Sequence, residues 1–276
     1  MALIDQPIRL PKPFSPRPQI SHVVFDFDGT LSWLRHGWPE LMAGLFIKHL
    51  PSLNPDSRRE IHEVLLQDIL SLNGKSSIYQ MERCSERVFE QGGPKLDPQA
   101  VLAEYQAALE IAIRDRAAKL KRGQASKDEF VLHGARALLR KLQQRGLMLI
   151  ILSGTPEPQV RQEAELLDLA GFFGARIYGS SSDLLRSSKQ AVIGRLLSEE
   201  RVSGEHLLAF GDGPVEIQLT KAAGGLAVGV ASDEDSNGSG ILHPQKVAQL
   251  RQAGADLLIP DYREPDKLLE CLLGKP

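Results

Sequence analysis

Cysteine is nearly absent from this chain. Cys84 and Cys271 stand far apart and match neither a metal-binding nor a redox spacing, so a reduced, cytoplasmic location fits best. Aromatic residues are also scarce, at 5% of 276 residues. A formal net charge of −2 gives no electrostatic reason to expect nucleic acid or an anionic membrane as partner. No apolar run approaches the length that spans a bilayer, and the first residues lack the basic-then-apolar pattern of a signal peptide. No internal repeat or extended low-complexity segment is present.

Proline is the residue that marks the start of the chain. Pro7 to Pro18 holds five prolines with interspersed Arg and Lys, which reads as an extended leader that either lies against the body or stays mobile. From about Trp38 to Arg122 the pattern is helical: Pro39–Leu50, a helix through Leu72 opened by the capping-box spacing of Ser57 and Glu60, Ser77–Glu90, and Pro98 to about Arg122. Beyond Ser126 helix and strand alternate. Strands are expected at Leu147–Leu152, Ala175–Tyr178, His206–Phe210, Leu226–Val230 and Asp256–Ile259. Such alternation implies an α/β fold with a parallel sheet and helices on both faces, and ligands in such sheets bind at the C-terminal strand ends.

The most informative stretch is Val23-Val24-Phe25-Asp26-Phe27-Asp28-Gly29-Thr30. A short apolar run reads as a buried parallel strand. Asp26 and Asp28 are two apart, so they lie close together unless the strand ends between them. Neighbouring carboxylates repel, and burying them needs a cation or a shared proton. The bland alternative is a loop with two solvated acids.

Three further segments place polar residues where strands end. Leu149–Leu152 runs into Ser153-Gly154-Thr155-Pro156, where a hydroxyl and free backbone N–H groups at a helix start would cradle phosphate; Ser153 or Thr155 as a simple N-cap is the alternative. Leu207–Phe210 meets Gly211-Asp212-Gly213, with Glu216 four residues later. Hard oxygen donors of this kind suit Mg²⁺, although a turn aspartate and a helix-start glutamate explain the same residues. Lys189 falls in the first turn of an expected helix, where a cation opposes the helix dipole. An exposed lysine is the ordinary explanation, yet a broken local rule is also a hint of function.

Taken in order, Asp26-Phe27-Asp28-Gly29-Thr30, Ser153-Gly154-Thr155, Lys189, and Gly211-Asp212-Gly213 with Glu216 resemble the four motifs of the haloacid dehalogenase-like superfamily. The helical block resembles the cap of the phosphoglycolate phosphatase and β-phosphoglucomutase-like branch. The resemblance implies a Rossmann-like doubly wound parallel sheet with an inserted all-helical cap. Residues 1–20 would be the leader, 21–35 and 126–276 the core, and 36–125 the cap. It further implies a Mg²⁺-dependent phosphatase acting on a small phosphorylated metabolite. In that scheme Asp26 is the nucleophile, forming an aspartyl-phosphate, and Asp28 the general acid and base. Ser153 and Lys189 hold phosphoryl oxygens, with Gly154 and Thr155 beside them. The Asp26 carboxylate, the Asp28 carbonyl and Asp212 meet the metal, and Glu216 binds it directly or through water. The family often has Asp where Glu216 stands.

The chemistry agrees with these residue types. Carboxylate attack on a phosphate dianion is opposed by repulsion, which a divalent cation and Lys189 would offset. Asp28 argues against dehalogenation, because expelling a halide needs no general acid whereas expelling an alkoxide benefits from one. Specificity is expected from the cap and from the linker carrying Trp33, Arg35, His36 and Trp38. Lys75, in the turn after the second cap helix, is the candidate for substrate contact from the cap. A phosphomutase using the same intermediate, and a silent protein that binds a phosphorylated ligand or a partner, are the competing readings.

Overall fold

A computed structural model of the chain describes residues 8–9, 15–51, 54–72, 76–181, 188–199, 202–233 and 235–275. The strands are β1 (Ile8–Arg9), β2 (His22–Phe25), β3 (Met148–Pro156), β4 (Ile177–Ser180), β5 (Leu207–Gly211), β6 (Leu226–Val230) and β7 (Leu257–Ile259). They form one sheet in the order β1-β7-β6-β5-β2-β3-β4. All neighbours are parallel except β1, which pairs antiparallel with β7. Apolar runs without alternation mark the central strands, as burial on both faces requires.

Alternation along β2 sends Val23 and Phe25 to one face and Val24 to the other. On the first face they meet α5 (Ala135–Gln144), α6 (Glu157–Leu166), α7 (Ala170–Phe173) and α11 (Pro265–Leu273) through Leu138, Leu142, Val160, Phe173 and Leu269. On the second, Val24, Ile150 and Ala209 pack against Val192 and Ile193 of α8 (Lys189–Glu199). Ile217 of α9 (Pro214–Ala222) and Leu250 of α10 (Pro244–Gln252) cover Ala227 and Leu258. The sheet is therefore wound on both sides, as the alternating pattern implies.

Between β2 and α5 the described residues form four α-helices, α1 (Trp38–Ile47), α2 (Pro55–Ser71), α3 (Ser77–Glu90) and α4 (Pro98–Lys121), followed by a short 3-10 turn at Lys127–Phe130. The four α-helices enclose a core of their own, with Met42, Phe46, Leu65, Ile69, Met81, Cys84 and Val88 at its centre. This is the all-helical cap, and α2 also touches α10 of the sheet layer. Among the described residues, no helix is long and apolar enough to cross a membrane.

Several details differ from the sequence reading. The second cap helix starts at Pro55, with Asn54 as its cap accepting a hydrogen bond from the Ser57 N–H at 2.8 Å. Proline fixes the φ of the first helical residue, and asparagine is the stronger cap, so Ser57 falls inside the first turn. Pro156 ends β3 and flanks α6, whose first residue is Glu157. The strand runs past Leu152 because Pro156 pairs with Ser180 of β4 after a register shift. Part of the leader joins the body: β1 completes the sheet edge, and the Arg17 N–H donates to Leu272 O at 2.8 Å. The four-residue α7 is too short to leave a period in the sequence.

Phe25 ends the strand that delivers Asp26. Its ring stacks on Phe210 at 4.9 Å and meets Phe173 edge-on at 6.2 Å. Phe25→Ala should therefore cost about 3–5 kcal/mol of folding stability. Urea denaturation measures it, and a loss below about 1 kcal/mol would show that this stack is not what anchors the strand end.

Candidate active site

Asp26 is the first residue beyond β2, 6% exposed, and its N–H donates to Phe210 O of β5 at 2.9 Å. The chain then turns sharply, with the Leu31 N–H on Phe27 O and the Gly29 N–H on Ser32 O, both at 2.9 Å. Gly29 has φ +74°, and a Cβ there would lie 2.3 Å from Asp212 Oδ2. Glycine is needed twice over, for its left-handed backbone and for the approach of Asp212. That contact brings the ends of β2 and β5 into one site.

Lys189, the first residue of α8, is buried, and its Nζ donates to Asp26 Oδ1 at 2.6 Å. The same ammonium forms an ion pair with Glu216. Glu216 lies in the first turn of α9 and folds back over the end of β5, 1% exposed, with its Oε2 accepting no hydrogen bond. Burial pushes the Asp26 carboxyl above its usual range, Lys189 pulls it back, and Asp28 adds to the rise. The expected broken rule, a lysine at a helix start, thus has its explanation in two buried carboxylates.

A second lysine was not singled out from the sequence. Lys246 of α10 is 1% exposed, 3.2 Å from Asp212 Oδ2 and donating to Ser232 Oγ at 3.1 Å. Ser232 Oγ in turn donates to Gly29 O at 3.1 Å. The signal that marks Lys189 is present here too, since Lys246 stands in the first turn of α10 after Pro244.

Asp28 is held from the other side. Its Oδ2 accepts from Thr155 Oγ1 at 2.8 Å, and its Oδ1 lies 3.1 Å from Arg35 Nε. Ser153 is buried and accepts the Thr155 N–H at 3.1 Å, while Gly154 is exposed with open space around its α-carbon. Arg35 also donates to both oxygens of Glu163 on α6, at 2.5 and 3.3 Å. Neither Arg35 nor His36 is free for substrate in this arrangement. The His36 ring stacks on Trp33 at 4.0 Å, and its Nδ1 is 2.8 Å from Trp33 O. Lys75 lies outside the described residues.

Five carboxylates (Asp26, Asp28, Glu163, Asp212, Glu216) thus face three cations (Lys189, Lys246, Arg35). Fully ionised, the cluster carries a formal excess of two negative charges. Among the described residues no three His, Cys, Asp or Glu side chains form a ready metal cage. The donors are all oxygen, and Glu216 Oε2 is a buried acceptor without a hydrogen bond. This set fits Mg²⁺, which takes few carboxylates and keeps several waters.

Burial lifts Glu163 from 4.5 to about 7, with Asp28 adding to the rise and Arg35 offsetting part of it. Unfolded, this glutamate loses its proton near 4.5, but folded it keeps the proton to about pH 7. Between those values the folded state binds more protons, so stability falls as pH rises through the window. Glu163→Gln should remove that decline, a difference on the order of 2–3 kcal/mol across the window. Denaturation at both ends tests it, and parallel profiles for the two proteins would contradict it.

The model of the haloacid dehalogenase-like hydrolases matches residues 20–224. No curated protein matches the chain in sequence. Solved structures do match in fold. A haloacid dehalogenase-like protein of unknown function from Agrobacterium tumefaciens is 16% identical with a TM-score of 0.63, covering 91% of this chain and 97% of its own. A predicted phosphoglycolate phosphatase from Haemophilus somnus is 15% identical with a TM-score of 0.60, covering 91% and 98%. A hydrolase of the same family from Deinococcus radiodurans, with bound phosphate and sodium, is 16% identical with a TM-score of 0.59, covering 92% and 96%. At these identities the likeness is one of fold, and the family model, which spans all four motifs, carries the assignment: the chain belongs to the haloacid dehalogenase-like hydrolases.

Proposed function

We propose that this protein is a Mg²⁺-dependent phosphatase that hydrolyses a small phosphorylated metabolite through an aspartyl-phosphate on Asp26. The observation that carries the reading is the pairing of Asp26 with Lys189 at 2.6 Å, while Asp28 is held separately by Thr155 and Arg35. Two neighbouring carboxylates in different surroundings suit two different roles.

In the first step an Asp26 carboxylate oxygen attacks phosphorus, and the bond from phosphorus to the substrate oxygen breaks. Asp28 donates its proton to that departing oxygen, which leaves as the alcohol. In the second step Asp28 takes a proton from water, whose oxygen attacks the same phosphorus. Inorganic phosphate departs and the Asp26 carboxylate is restored. Lys189, and Ser153 within β3, would face the equatorial oxygens over which the transition state spreads its charge. Asp26, the Asp28 carbonyl, Asp212 and Glu216 would hold Mg²⁺, which when bound supplies charge neutralisation for an anion attacking an anion. Gly29 and Lys246 fix Asp212, and Thr155 fixes Asp28. Gly154 leaves the approach to Ser153 open.

The division of labour follows the two cores. Residues 21–35 and 126–276 supply the chemistry, residues 36–125 form the cap that selects the substrate, and Lys75 is the cap residue assigned to contact it. Cys84 and Cys271, which form no disulfide among the described residues, suit a reducing cytoplasm.

Phosphate release from a panel of phosphomonoesters, with and without Mg²⁺, tests the reading. Release should require Mg²⁺, and Asp26→Asn should lower it by more than about 10³-fold with the fold intact by circular dichroism. A folded Asp26→Asn protein that still turns over would overturn the nucleophile assignment. Transfer of the phosphoryl group to another substrate hydroxyl, without release, would identify a mutase instead.

A further inference from the structure

Arg35 lies between the catalytic loop and the cap, and it is the group on which both converge. It is 13% exposed, and its guanidinium is shared between Asp28 Oδ1 at 3.1 Å and Glu163, to whose Oε1 it donates at 2.5 Å. Thr155 engages the remaining oxygen of Asp28 at 2.8 Å. One oxygen of this carboxyl is thus hydrogen-bonded by Thr155 and the other is ion-paired with Arg35, and the two together set its direction.

The backbone that carries Arg35 is itself held from the cap. Arg116 of α4 donates its Nη1 to Leu34 O at 2.5 Å and to His36 O at 3.1 Å, the carbonyls on either side of Arg35. Tyr105, three turns earlier on the same helix, is buried, and burial holds its hydroxyl above the ordinary phenol range, with Arg35 offsetting part of the rise and Asp28 adding to it. A planar guanidinium serves such a position because its fork of donors can satisfy two carboxylates at fixed angles, which an ammonium cannot do.

We propose that Arg35 is the positioning residue for Asp28, braced by Glu163 from the core and by Arg116 from cap helix α4. The inference rests on the reading of Asp28 as general acid. A general acid works only within hydrogen-bond reach of the leaving oxygen, and a displacement of about 1 Å can cost about 10²-fold. Arg35 reaches the chemistry through Asp28, and Arg116 reaches it through Arg35. The cap thus contributes to proton delivery as well as to enclosing the substrate.

The test is the dependence of kcat/KM on the leaving group, because kcat/KM reports the step in which that group departs. An alkyl phosphate needs its leaving oxygen protonated, whereas p-nitrophenyl phosphate expels a stable phenolate without help. Arg35→Ala should lower kcat/KM for the alkyl phosphate by about 10-fold or more, part of the ~10²–10⁴ of general acid catalysis, and change the aryl value less than about threefold. Arg116→Ala should move the ratio in the same direction by less, and Arg35→Lys should restore part of it. Circular dichroism checks folding, and Arg116→Ala carries the test if Arg35→Ala does not fold. Asp28→Asn separates the two claims. If it lowers both substrates equally, Asp28 is not the acid and the inference falls with that reading. If it is selective while the Arg35 and Arg116 variants lower both substrates equally, or neither, Asp28 is the acid and Arg35 does not position it.

Discussion

A buried ammonium between two buried carboxylates is the constraint around which this molecule is organised. Lys189 pairs with Asp26 and Glu216, with both side chains less than a tenth exposed. Burying any of the three alone would cost several kcal/mol, and breaking a buried pair by removing one partner is strongly destabilising. The strand order satisfies the demand. β2 and β5 are neighbours, so Asp26 and the Asp212–Glu216 segment leave the sheet side by side, and α8 starts with Lys189 above them. Lys246 repeats the arrangement at Asp212 from α10. A buried strand end that keeps more acids than bases has the charge imbalance that the proposed divalent cation would offset.

The cap is joined to this site through backbone as well as shape. Its helices have their own apolar core, so they are able to hold a shape independent of the sheet. Arg116 nevertheless grips the linker on both sides of Arg35. In the proposed mechanism, substrate selection and proton transfer meet at the contacts of Arg35 with Asp28 and Glu163.

The sheet and its motifs were legible in the sequence because they are local. β2 and β5 are short apolar runs closed by Asp or Gly, with Asp26 and Asp28 following the first and Asp212 and Glu216 the second within a few residues. Lys189 was legible as a broken rule at a helix start. Other parts carry no local mark. Arg35 and Glu163 are 128 residues apart in sequence, and nothing near either names the other. Lys246 stands at a helix start as Lys189 does, but its own segment matches no motif, and its partner Asp212 lies 34 residues earlier in the chain. The edge strand β1 is two residues long, below any period of alternation, and Asn54 outranked Ser57 as a cap through the proline that follows it.

The central claim is that Asp26 carries the phosphoryl group during turnover. Acid quench of the enzyme with a phosphomonoester substrate, followed by peptide mass spectrometry, measures this directly. The account predicts one added phosphoryl group on the peptide containing Asp26, absent from Asp26→Asn. A turning-over enzyme whose phosphoryl group sits on another residue, or in which single-turnover quench at every time point leaves Asp26 unmodified, would contradict it.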